Sequence, residues 1–131
     1  MDWTLEVVVV PVSDIDRAIA FYRDQLGFHL DHDTRAGEMR FAQLTPPGSG
    51  CSIVLGGEQG MAPGSLKGLQ LVVADAYRAR RQLAERGVAV GEIEVIDEGD
   101  GGTLFGFADA DGNGWVVQQI KARADKPLIL R

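Results

Sequence analysis

Cysteine is nearly missing from this chain: Cys51 is the only one. A lone thiol excludes an intrachain disulfide and any metal centre built from several cysteines. It suits a reducing compartment, so a cytoplasmic location is expected; Cys51 itself reads as a small residue opening a strand. Histidine is scarce, with His29 and His32 alone. Long hydrophobic runs are absent too. The N-terminal apolar stretch stops at Pro11 and carries Asp2 and Glu6, too short and too acidic for a signal peptide or a membrane span. Neither a targeting segment nor a membrane partner is expected. Basic residues are outnumbered, 13 Lys and Arg against 19 Asp and Glu, for a formal net charge of −6. That balance disfavours nucleic acid as a partner. No Gly-x-Ser-x-Gly, Walker or dinucleotide-binding motif stands in the strand–helix context it requires.

What is present is a repeat. Residues 5–27 and 66–87 each read as an apolar strand, an aspartate at a helix start, an amphipathic helix and a closing glycine. Placing Asp14 on Asp75 aligns Val8 with Leu69, Val10 with Leu71 and Val12 with Val73, and lets Gly27 and Gly87 end the two helices. At 131 residues, 45% of them hydrophobic, the chain is long enough to bury a real core as one domain made of two similar halves.

The first helix follows Ser13 or Asp14, with Ile15, Ala18, Ile19, Tyr22 and Leu26 at helical spacing. Strands are expected over 28–34, 39–44 and 52–55, separated by turn residues. Residues 56–65 hold four glycines and a proline and read as a connection between halves. The second half repeats the order: strand 68–73, helix 75–86, then strands 92–97, 103–108 and 115–120. Asp109 to Gly114 reads as a tight turn rather than a calcium loop, because the closing glutamate of such a loop is missing. The expected fold is α+β: two βαβββ modules, 1–57 and 66–131, joined by 58–65, forming curled mixed sheets around a cavity. The apolar end of the tail, 127–130, could pack on a partner subunit.

The segments PVSDIDRAIAFYRDQLGF (11–28) and FADADGNGWVVQQ (107–119) resemble the signatures of the vicinal-oxygen-chelate superfamily, which includes glyoxalase I, extradiol dioxygenases, fosfomycin-resistance enzymes and bleomycin-resistance proteins. The resemblance implies a glyoxalase/bleomycin-resistance-like fold. It also implies, in the metal enzymes, one ligand from the first and fourth strand of each half. Carried over, those positions fall on Val7, Val54, Gly68 and Val116. None offers the oxygen or nitrogen donor a hard divalent ion needs, and a slip of one residue would offer only Glu6. No metal and no cofactor are therefore expected, and the resemblance narrows to the metal-free, drug-binding branch.

The two-residue period of strands extends the cavity-facing set to Leu5, Val9, Ser52, Gln70, Val72 and Gln118. On the strand 39–44, Phe41 and Gln43 are favoured over Arg40 and Ala42. Gln43, Gln70 and Gln118 are amides on half-buried strands and need partners, which a polar ligand could supply. Strict alternation puts His29, Asp31 and Asp33 on one face and His32 on the other, against a joint metal site. Trp115 should pack under the helices, and Tyr22 should lie in the core.

The reading is a metal-free binder of a bulky apolar or aromatic small molecule, in its most concrete form an antibiotic-sequestering resistance protein. It would act as a homodimer, and the glycine-rich connection permits a swapped one. The alternative is a metal-independent isomerase, cyclase or lyase of natural-product metabolism. Its acid or base would come from His29, Glu58, Asp97 or Arg40 by residue type alone. A glyoxalase- or dioxygenase-type metalloenzyme ranks behind both.

Overall fold

The computed structural model describes residues 1–56 and 60–125. Glu58, part of the connection and the tail segment 127–130 lie outside them.

The β-branched run Val7–Pro11 forms β1, as stiff branched side chains favour. Asp14 then takes an extended backbone and its carboxylate accepts from Arg17 N at 3.0 Å, capping α1 (Ile15–Ile19). Asp75 repeats this, accepting from Arg78 N at 3.0 Å at the start of α2 (Ala76–Glu85), so the pairing of Asp14 with Asp75 holds at the level of single atoms. The first helix differs from the expected uniform α-helix. Past Ile19 it widens into a π-helical turn, Ala20–Gln25, with Leu26 N bonded to Phe21 O five residues back at 3.0 Å. The wider turn buries the adjacent Phe21 and Tyr22 together.

The remaining strands are β2 (His29–Ala36), β3 (Met39–Thr45), β4 (Ser52–Gly56), β5 (Leu69–Val73), β6 (Glu94–Val95), β7 (Thr103–Ala108) and β8 (Gly114–Gln119). They form two four-stranded sheets of the same plan, β1-β4-β3-β2 and β5-β8-β7-β6. In each, the first pair is parallel and the rest antiparallel. β6 is shorter than the expected 92–97. Ile96 N already turns back to Gly102 O at 2.9 Å, and Gly91 N bonds Gly106 O at 2.8 Å, so the flanks of that segment spend their hydrogen bonds outside the ladder. A 3₁₀ turn, Lys121–Ala124, follows β8. No helix among the described residues is long and apolar enough to cross a membrane.

One core serves both sheets. Val10, Leu44 and Leu55 from the first meet Phe105, Trp115 and Val117 from the second, with Ile19 and Tyr22 from the first helix and Leu83 from α2. Trp115 lies parallel to Phe107 at 6.0 Å and tilted against Tyr22 at 5.8 Å, as expected of a ring packed under the helices. Gln119 Oε1 accepts from Ala76 N at 2.9 Å, so a buried amide satisfies the first turn of α2. Residues 60–65 are not a free connection: Gly64 N bonds Pro11 O at 3.1 Å.

Candidate functional site

Each sheet has a packed face and an open one, and register decides which residue goes where. Laterally paired residues point the same way. Val7 pairs with Ser52, Val9 with Val54, and Val54 with Gln43. These residues therefore share a face with Phe41, two positions before Gln43. Val10, Leu55, Ala42 and Leu44 fill the opposite, fully buried face. In the second sheet Gln70 pairs with Val116, and Gln118 with both Val72 and Leu104, giving a matching open face. Phe41 and Gln43, not Arg40 and Ala42, lie on the open side. Arg40 instead reaches Asp33 at 2.9 Å and Asp16 at 2.8 Å. Its guanidinium holds both carboxyls below the usual aspartate range and ties β3 to α1.

Two expectations need correction. Gly68 lies before β5 rather than in it and has φ +89°, because the chain is still turning out of the connection there. The sheets are also not closed around a cavity within one chain. Val7 is 42% exposed, Phe41 38% and Val95 54%, with Leu5 and Trp3 more exposed still. A recess of about 370 Å³ lies on the packed side, between Leu26, Phe28, Leu71, Val73, Leu83 and Val117. It is backed by core residues, and none of the expected site residues except Val72 borders it.

The open faces are apolar with two polar lines across them. On the second sheet Gln70 Nε2 donates to Gln118 Oε1 at 2.6 Å, and Gln118 Nε2 donates to Gly101 O at 2.8 Å. Gln70 and Gln118 thus find partners within the chain. On the first sheet a β-bulge falls between Leu30 and His32, so that His29 opposes Thr45 and His32 opposes Gln43. The bulge at Asp31 shifts the alternation by one, and both histidines come to the open face, against the expectation of opposite faces. Asp31 accepts from the Thr45 hydroxyl and contacts His29 Nδ1 at 2.9 Å. Thr45 Oγ1 in turn lies 2.6 Å from Ser52 Oγ. The bond from Thr45, more than the one from His29, holds the Asp31 carboxyl below the usual aspartate range. Asp31, weighed in the sequence only against a metal site, is linked on this face to Thr45, which the sequence reading did not single out.

A buried polar cluster around Asp109 and Asn113 lies on the packed side and is structural. Asp109 Oδ1 accepts from the amides of Asp111, Gly112 and Asn113 at 2.9–3.0 Å. Its Oδ2 accepts from Tyr22 Oη at 2.6 Å and Asn113 Nδ2 at 2.8 Å. Burial, then the bond to Asp109, raises the Tyr22 phenol above the usual tyrosine range. Asp111 accepts from the Ser13 hydroxyl at 2.6 Å and pairs with Arg17 at 3.3 Å. The 109–114 segment is thus a turn that clasps the first half.

A divalent metal does not fit the four positions implied for it. Val7, Val54 and Val116 carry no donor atom, and Gly68 has no side chain. Moving the frame by two residues along β1, β4, β5 or β8 reaches Val9, Ser52, Gln70 or Gln118, still without a carboxylate or imidazole. Among the described residues no three His, Cys, Asp or Glu side chains converge.

The family model of the Glyoxalase/Bleomycin resistance protein/Dioxygenase superfamily matches residues 4–117. The fold is similar to that of TnmS3, an antibiotic binding protein from Streptomyces sp. CB03234, at 35% identity and TM-score 0.81, covering 91% of this chain and 97% of that one. A glyoxalase/bleomycin resistance protein from the same Streptomyces is similar at 36% identity and TM-score 0.78, over 88% of this chain and 100% of the other. A superfamily member from Sphaerobacter thermophilus DSM 20745 shares 31% identity at TM-score 0.79, over 90% and 98%.

Proposed function

The chain belongs to the glyoxalase/bleomycin resistance protein/dioxygenase superfamily, and from that footing we propose that it is a metal-free small-molecule binding protein. In this reading it sequesters an antibiotic or other bulky aromatic natural product. The observation that carries the reading is the chemistry of the open faces. Where metal enzymes of the superfamily need ligands, this chain has Val7, Val54, Gly68 and Val116, and the same faces of β1, β4, β5 and β8 add only apolar residues, a serine and amides. The likeness to an antibiotic binding protein at 35% identity supports it.

The ligand would lie on Val7, Val9, Phe41 and Val54 of the first sheet and Val116 of the second, with Gln43, Ser52, Gln70 and Gln118 as polar contacts and Gly68 at the margin. Two copies of the chain are part of this reading, since each open face needs a second wall to exclude water from an apolar ligand. A cytoplasmic location belongs to it as well. Burying about 400 Å² of apolar surface supplies on the order of 10 kcal/mol gross, against association costs of about 4–15 kcal/mol. Micromolar binding then requires neither metal nor covalent chemistry.

The His29–Asp31 pair on the first open face supports a second reading, a metal-independent isomerase or lyase with His29 as proton carrier. Metal analysis and ligand-induced melting on one purified sample separate the two. A melting shift with an aromatic natural product that is recovered unchanged, from protein free of metal, supports sequestration. A converted product supports the enzyme, and stoichiometric metal overturns both.

A further inference from the structure

We infer that the first open face reads a hydrogen-bond donor of its ligand, a hydroxyl or an amine, through the oxygen of Ser52. This rests on the binding reading above and concerns what the ligand must carry. An ionised carboxylate only accepts, so Asp31 takes the proton of Thr45 Oγ1. Thr45 has a single hydroxyl proton, and it is spent there. The 2.6 Å approach of Thr45 Oγ1 to Ser52 Oγ still needs a proton between the oxygens, and only Ser52 has one left to give. The Ser52 backbone N–H is committed to Glu6 O at 2.7 Å. Ser52 is nearly buried, 9% exposed, and what its Oγ offers a ligand at that edge is lone pairs alone.

The other ends of the two polar lines carry the same sign. His29 Nδ1 faces Asp31, so in the neutral imidazole it donates there and Nε2 is left as an acceptor. On the second sheet Gln118 is oriented by Gly101 O, which makes Gln70 Nε2 the donor to Gln118 Oε1 and leaves Gln70 Oε1 open among the described residues. Acceptors on both faces, an ionised Asp31 behind one of them and a chain of net charge −6 all favour a ligand that donates. An ether or carbonyl at Ser52 would set lone pair against lone pair.

The test titrates the full-length protein with a matched pair, 2-hydroxyanthraquinone and 2-methoxyanthraquinone, following tryptophan quenching. Wild-type protein is expected to prefer the hydroxyl compound by ~3–10-fold, the range for one hydrogen bond at a partly buried site. Ser52→Ala should erase the preference, because the hydroxyl compound loses its acceptor while the methoxy compound is relieved of the lone-pair clash. Thr45→Val is the decisive variant: it frees the Ser52 proton to point at the ligand, so affinity for the methoxy compound should rise although a contact was removed. Melting curves of each variant report whether it is folded. Equal binding of the two compounds by wild-type protein overturns the inference and leaves the binding reading standing, as does a preference that survives Ser52→Ala. Binding of neither compound counts against both.

Discussion

The Tyr22 hydroxyl gives its proton to Asp109 Oδ2 across 2.6 Å and accepts from Trp115 Nε1 at 3.0 Å, joining residues 87 and 93 positions apart in the sequence. A helix of the first half is thereby bolted to the β7–β8 turn of the second. The carboxylate at the centre is saturated, because Asn113 Nδ2 shares the same oxygen and also donates to Pro11 O at 2.8 Å.

Tyr22→Phe should destabilise the protein by about 1–3 kcal/mol, the cost of leaving a buried donor and acceptor unmatched. Trp115 Nε1 loses its acceptor and Asp109 loses one donor, while the ring packing against Phe28 and Trp115 is kept. Urea unfolding checks this: the midpoint should fall with the slope unchanged.

The same phenol makes stability depend on alkaline pH. Its ionisation is raised in the folded chain above the ordinary value of 10.0. The contribution is therefore intact below about pH 10 and falls as pH rises past it, because the unfolded tyrosine ionises first. It continues to fall until the folded phenol itself ionises. Denaturant midpoints from pH 8 to 11.5 should decline more steeply for wild type than for Tyr22→Phe; parallel curves would sink the assignment.

Gly64 is expected to tolerate nothing larger. It has φ +81°, and a Cβ there would lie 1.9 Å from Asp111 O. Gly37 has φ +64° with open space around it, so Gly37→Ala carries only the left-handed backbone cost of about 1–2 kcal/mol. Gly64→Ala adds displacement of the 109–114 turn and should lower the melting temperature well beyond the Gly37 variant. Similar losses for the two would mean that the close approach does not matter.

Val116→Asp tests the open face without touching the core. Val116 is half-buried and points away from the Trp115 side, so a stability change of no more than roughly 1 kcal/mol is expected. A charge set against an apolar ligand should weaken binding by about tenfold or more, in a calorimetric titration with whichever aromatic compound raises the melting temperature. Unchanged affinity would remove Val116 from the site.

Much of the architecture was legible because the chain states it twice. Asp14 and Asp75 mark helix starts by the same chemistry, and alternation along β1, β4, β5 and β8 assigns faces wherever one face is buried. The open side of Phe41 and Gln43 follows from the same pattern. The π-helical turn was hidden because Tyr22 and Leu26 suit α-helical spacing as well, and only tertiary packing of Phe21 beside Tyr22 selects the wider form. That the sheets do not close within one chain was equally hidden, since a strand face reads as apolar whether its own chain or another covers it. The link between Asp31 and Thr45 escaped notice because it depends on one irregular position in β2, and nothing in His29 to Asp33 distinguishes a regular strand from a bulged one.

That irregular position changes the reading frame of everything near it. Before Asp31 the odd-numbered residue His29 looks toward the open side, and after it the even-numbered His32 and Thr34 do, opposite Gln43 and Phe41. An engineer redesigning this surface by odd-and-even rules would vary one half of β2 and damage the other. A single-residue deletion at Asp31 would restore the beat of the strand, keep His29, Leu30 and His32 opposite Thr45, Leu44 and Gln43, and remove only the carboxylate that holds Thr45.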